Sequence, residues 1–185
     1  MNEQLLQGQE IYNRQLVSKK VIIPFSELST NLREQFVQYA FKNFVGKCCK
    51  EGYISNKNIK IIKYSAPKAL SSEVIFNVLF EFDIFNPYED QEIYARVLNV
   101  TKIGIKGVIE EDERKNPVTV FASRLQNAHV IMKDENMNDD DVYDESNDMV
   151  YGEGDIIKVK VIGYRFEIND TSVYVLGEII KYDKN

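Results

Sequence analysis

The sequence has no tryptophan, one histidine, two cysteines and four prolines in 185 residues. Each scarcity excludes some chemistry. A Ser–His–Asp site would have to use His129, and there is no Gly-x-Ser-x-Gly segment to present a serine. His129 therefore reads as a structural or surface residue. Cys48 and Cys49 are adjacent, so an ordinary disulfide between them is ruled out, and one histidine cannot complete a four-ligand zinc site with them. They read as buried or half-buried thiols of a reducing compartment. Neither Gly-x-x-x-x-Gly-Lys-Ser/Thr nor Gly-x-Gly-x-x-Gly occurs, so no nucleotide site is expected. No apolar run approaches the ~18–20 residues of a membrane-spanning helix. The start, MNEQLLQGQEIYNRQLVSKK, has no apolar core of the kind a secretory signal needs. The expectation is a non-enzymatic protein with no cofactor, metal or membrane partner.

What is present is the balance of a soluble globular chain: 44% apolar and 28% charged residues, with a net charge of −6. The charge is uneven. The stretch Lys133–Val150 carries eight acidic residues against Lys133 alone, which leaves the rest of the chain at +1. Between Lys42 and Lys68 seven lysines face only Glu51. The acidic stretch matches an EF-hand template at Asp134, Asn136, Asn138, Asp140 and Glu145, but Asp139 stands where the sharp turn requires glycine. A solvated insert is expected there, able to repel nucleic acid or dock a basic partner.

The hydrophobic pattern predicts two architectures in succession. Residues 1–18 are polar without a sustained period and read as an N-terminal extension. Lys20–Pro24 reads as a strand. Asn31 and Glu34 have capping-box spacing, and apolar positions 32, 36, 37, 40, 41, 44 and 45 mark a helical face ended near Gly46. Strands follow at Tyr53–Lys63 and Glu73–Phe85, the latter alternating Val74, Phe76, Val78, Phe80 and Phe82. Tyr64–Ser72 reads as a turn, and Asn86-Pro87 breaks the chain. This is a β-α-β-β unit. Beyond it no helix is visible. Glu92–Thr101, Ile103–Glu110, Pro117–Ala122, Asp155–Tyr164 and Thr171–Lys181 are β-rich, and five short strands suggest a small closed barrel. The fold class is thus α+β: residues 19–86 form an N-terminal unit, and 87–185 an all-β OB-type barrel with the acidic insert at 133–150.

Barrels of this size bind single strands by aromatic stacking and backbone cations. The candidate RNA contacts are Lys102, Lys106, Phe121, Arg124, Lys158, Lys160, Tyr164 and Arg165. Alternation does not say which face is inside, so Phe121 is equally a core residue and the lysines a solvated face.

Several segments carry a resemblance. Gly154-Asp155 through Arg165, and Thr119–Leu125, resemble the OB-fold repeat of the largest small-subunit ribosomal protein. Ile162-Gly163-Tyr164-Arg165 with Leu176-Gly177-Glu178-Ile179 looks like a narrower family: the seventh-largest subunit of eukaryotic RNA polymerase II and its counterpart in the archaeal enzyme. Gly46-Lys47-Cys48 with Gly52-Tyr53-Ile54, and Ile84-Phe85-Asn86-Pro87 before Glu92, are similar to that family's helix-to-strand link and domain junction. The resemblance covers about Lys20–Lys181. It implies a polymerase stalk subunit. A "tip" domain would dock on the core enzyme, at the largest subunit near the clamp, with a small stalk partner. The barrel would contact nascent RNA weakly. The implied docking residues are Gly52, Tyr53, Tyr64, Ser65, Ala66, Pro67, Lys68, Ala69 and Leu70. The chain departs from the family in the tip turn, which lacks glycine, and at Gly104, flanked by Ile103 and Ile105 where an aromatic often stands. These departures, with abundant Asn, Ile and Lys, suggest an AT-rich genome. They fit a large DNA virus encoding its own polymerase, whose protein would reside in the virion and cytoplasmic virus factory. A cellular eukaryotic relative would be nuclear. The rival reading is a free-standing single-stranded RNA-binding factor of translation type.

Overall fold

A computed structural model describes residues 6, 9–110, 117–132 and 150–181. Most of the acidic insert, 133–149, and residues 1–5 of the N-terminal extension lie outside them, as do the expectations placed there. The chain forms two compact units. One comprises Tyr12–Asn86 with Glu167–Thr171, and the other Met1–Ile11, Pro87–Phe166 and Ser172–Asn185.

In the Tyr12–Asn86 unit the strands are β1 (Asn13–Pro24), β2 (Cys48–Cys49), β3 (Gly52–Tyr64), β4 (Lys68–Leu70) and β5 (Glu73–Phe85). They form one antiparallel sheet of order β1-β5-β3-β2, with β4 pairing β5. One helix, α1 (Leu32–Asn43), covers one face. Asn31 caps it: its Oδ1 accepts the Glu34 N–H at 3.4 Å, while its Nδ2 donates to Glu34 Oε2 at 3.0 Å. The capping pair is present, but Glu34 reaches the Asn31 side chain rather than its backbone. The Asn31 N–H goes instead to Ser29 Oγ. The inward alternation of β5 puts Val74, Phe76, Val78, Phe80 and Phe82 against Phe36 and Ala40 of the helix. Phe36 meets Phe76 edge to face at 5.0 Å. Aromatic pairs of that geometry add ~0.5–1.5 kcal/mol beyond the burial itself.

Two expectations are corrected here. Residues 13–18 are not a loose extension: β1 runs unbroken from Asn13 and pairs with β5 over its whole length. Its period of two is hidden because the inward phase includes the polar Gln15 and Lys19, while the outward phase includes the apolar Leu16 and Ile22. The expected turn Tyr64–Ser72 contains the strand β4.

The second unit is a barrel. Strands β6 (Glu92–Thr101), β7 (Gly104–Ile109), β8 (Val118–Ser123), β11 (Ile156–Arg165) and β12 (Val173–Ile180) close in the order β11-β12-β8-β7-β6. All pairings are antiparallel except β12 with β8. A five-stranded barrel of this order is consistent with the OB fold. Its interior is filled by alternate aliphatics such as Ile93, Ile105, Val120, Val159 and Ile179, none more than 1% exposed. Gly177 permits the close approach of β12 to β11: a Cβ there would lie 2.0 Å from Val159 Cγ1. Two short strands, β9 (Ile131–Met132) and β10 (Val150–Tyr151), pair in parallel at the two ends of the acidic insert, so Val150 is a strand residue. Within this unit Gln9 acts as a surrogate strand. Its side-chain amide donates to Tyr94 O and accepts the Tyr94 N–H, both at 2.9 Å.

Candidate functional site

His129 and the thiols are accounted for by structure. His129 Nε2 lies 2.9 Å from Ile179 O. Beside it, the buried Asn127 donates to Ser123 O at 2.8 Å and accepts the Ile179 N–H at 2.6 Å, stitching β12 to the end of β8. Cys48 and Cys49 are buried free thiols. Burial, and then the Asp170 carboxylate, push Cys48 up to about 12, so it is protonated and a poor nucleophile at neutral pH. Among the described residues no group of three His, Cys, Asp or Glu is placed to hold a metal. Nor is any helix among them long and apolar enough to cross a membrane.

Lys102 is exposed in the β6–β7 turn, and the barrel's other seven candidate contacts separate into three sets. Lys106 and Phe121 are directly opposed on β7 and β8, with Asn99 on one side and Leu176 on the other. Phe121 is half-buried on the outer face, not in the core, because Val120 and Ala122 take the inward positions. Lys106 is exposed beside it.

The second set is neutralised. Lys158 Nζ sits 2.6 Å from Glu92 Oε2, and Lys160 Nζ 2.8 Å from Asp90 Oδ1. Hydrogen bonding to those carboxylates, with their charge, raises both lysine pKa values. Arg124 is also engaged: Nε donates to Lys102 O and an NH2 nitrogen to Thr101 O, at 3.1 and 3.2 Å. It holds the β6–β7 turn to the end of β8. These three cations, expected to meet a phosphate backbone, are committed to the protein instead.

The third set lies at the end of β11. Tyr164 is 45% exposed and stacks on Phe166, centroids 6.3 Å apart and planes 16° apart. Arg165 is registered opposite Tyr174, itself 56% exposed. Phe166 and Tyr174 were not among the expected contacts. Tyr174 was legible as an outward residue of the alternation Val173-Tyr-Val-Leu, whereas Phe166 lies beyond the strand and carries no periodic signal.

The docking candidates of the other unit also divide. Gly52 and Tyr53 are interior. Tyr53 is 1% exposed, and Gly52 has φ +132°, with Phe85 O 2.4 Å from where a Cβ would be. Neither offers a contact surface. Tyr64 turns to the helix side and packs edge to face on Phe36 at 5.2 Å. Ser65 closes the hairpin: its N–H donates to Asn77 O and its Oγ accepts the Asn77 N–H. Ala66, Pro67, Lys68, Ala69 and Leu70 remain, all exposed, with Leu70 at 60%. Ile62, 44% exposed, is a further outward residue of β3, at a bulge between Ile61 and Lys63. A bulge leaves no trace in an apolar run such as Ile61-Ile62, which is why it escaped the pattern.

No family model matches the sequence, and no curated protein matches it.

Proposed function

We propose that this chain is a non-catalytic stalk subunit of a DNA-directed RNA polymerase, one that docks through its N-terminal unit and contacts nascent single-stranded RNA through its barrel. The docking surface is the exposed hairpin Ala66–Leu70. Its partner is the largest subunit near the clamp, with a small stalk partner alongside. The RNA contact is weak and rests on stacking more than on charge.

The observation that carries the reading is the exposed aromatic pair at the end of β11, Tyr164 stacked on Phe166. Bases stack on such rings whatever their identity, and the end of the fourth and fifth strands is where barrels of this type carry a binding loop. Lys106 beside Phe121 extends a second contact on β7 and β8, with a cation next to a half-buried ring. The sequence resemblance supplies the polymerase context.

Two measurements test the reading together. The tagged chain expressed in its native host should co-purify with large polymerase subunits, and a 12-base single-stranded RNA should bind the purified chain. RNA binding without co-purification would favour the free-standing RNA-binding factor. Failure of both would sink both readings. Magnesium-dependent turnover of RNA would overturn the non-catalytic assignment.

A further inference from the structure

Strand β1 is an edge of its sheet: among the described residues it pairs with β5 and with nothing else. The hydrogen-bond phase of that pairing can be read. Phe25 N–H donates to Ser72 O, so in the β1–β5 register the odd residues of β1 turn their backbone groups toward β5. The phase has an independent check, because Asn77, an odd residue of β5, bonds Ser65 on the opposite side. Arg14, Leu16, Ser18, Lys20 and Ile22 therefore point their N–H and C=O groups away from the sheet. Pro24 falls in the same phase, where its missing N–H breaks no sheet bond.

Natural edges are usually short or blunted. This one is 12 residues long and keeps Leu16 at 59% and Ile22 at 37% exposure. Beside its C-terminal half lies a groove of about 350 Å³ lined by Ile23 and Pro24 of the strand and by Gln38, Tyr39 and Lys42 of α1. Lysines flank the edge on both faces; of the carboxylates on β5, Asp83 and Glu81 are answered by Arg14 and Lys60, and Glu73 stands opposite Pro24. Lys20 is exposed and its β5 neighbour is Asn77, so no carboxylate answers it across the strand. Lys42 stands at the groove, whose one acidic lining residue is Glu27.

We propose that β1 is a strand-addition site for an extended acidic segment of another protein. The incoming strand pairs its backbone with Leu16, Ser18, Lys20 and Ile22. Its residues alternate between the face of Lys20 and the groove beside Tyr39 and Lys42. A nucleic acid has no peptide ladder to offer this edge. The inference does not depend on the stalk or RNA reading, since it uses neither the hairpin nor the barrel.

The test titrates the full chain with an acetylated eight-residue peptide of alternating Val and Glu, and with its Val and Lys counterpart, while amide exchange is followed by NMR. The Val/Glu peptide should bind about tenfold more tightly than the Val/Lys one. It should also slow exchange at Leu16, Ser18, Lys20 and Ile22. Ser18→Pro removes one outward N–H without touching a β5 bond and should weaken binding about tenfold. If that variant fails to fold, Lys20→Glu should reverse the preference between the two peptides. The proposal is overturned if neither peptide binds at ~1 mM, a millimolar Kd being only about −4 kcal/mol. It is overturned too if both bind equally, or if binding leaves the four amides unprotected. A dimer by sedimentation, with the same amides protected in the absence of peptide, would assign the edge to a second copy instead.

Discussion

Lys158 and Glu92 face each other on adjacent barrel strands with 2.6 Å between Nζ and Oε2. Lys158 is only 19% exposed at its side chain, and Tyr94 lies under the ammonium at 5.9 Å. With Lys160 held by Asp90 in the same way, the lysine row of β11 contributes little free positive charge. The double substitution Glu92→Gln and Asp90→Asn should therefore strengthen single-stranded RNA binding. It should also steepen the dependence of log K on log salt, by ~0.7 for each phosphate newly neutralised. Salt titration by fluorescence anisotropy reads the slope. An unchanged slope means those lysines face no nucleic acid.

Tyr164→Ala and Tyr174→Ala should each weaken RNA binding by ~1–3 kcal/mol, the value of one stacked base. The salt slope should stay as it was, since no cation is lost. A loss of slope in these variants would show that Arg165, registered opposite Tyr174, had been displaced with the ring.

Gly177→Ala should destabilise the barrel without touching the other unit. The added Cβ falls 2.0 Å from Val159 Cγ1 and 3.0 Å from Lys160 O. Overpacking of this kind costs ~1–3 kcal/mol, read as a lower urea midpoint. Combining it with Val159→Ala should restore part of the loss relative to the two single variants added together. Strict additivity would mean the clash is with backbone alone.

Cys48 makes a pH-dependent contribution whose sign is fixed. Its thiol is raised from 9.0 to about 12 in the folded chain, first by burial and then by Asp170. Below pH 9.0 both states hold the proton and the full contribution is present. Above it the unfolded chain releases the proton first, so stability falls as pH rises toward about 12. Urea unfolding at successive pH values should show a shallower alkaline decline for Cys48→Ala than for the parent. Equal declines would refute the shift. The same burial predicts slow native labelling by a thiol reagent at pH 8 and rapid labelling in denaturant.

Much of the fold was legible because its signals are local. The alternation Val74 to Phe82 needs only a period of two, and Asn31 with Glu34 needs only three residues of spacing. The five barrel strands stood out as β-branched runs between turns, and each falls within two residues of its expected bounds. Strand β1 was half hidden, since Gln15 and Lys19 fall on its inward phase and Leu16 and Ile22 on its outward one, which blurs the period of two. Of the candidate site, the surface placement was legible in part. Phe121, Lys106, Tyr164 and Arg165 are surface residues of the barrel, whereas Gly52 and Tyr53, chosen by resemblance, are interior.

The residues by themselves determined that this chain builds a helix on a sheet and then a barrel, and that it holds one histidine and two adjacent cysteines. Those conclusions follow from composition and period, which require no knowledge of partners. Only the tertiary structure decided which charges are available. Lys158, Lys160 and Lys106 are alike in sequence as lysines on β-strands. The register that places Glu92 and Asp90 within reach of the first two, and Phe121 beside the third, comes from strands distant along the chain. Charge pairing is a property of distance, and distance is set by the closed barrel.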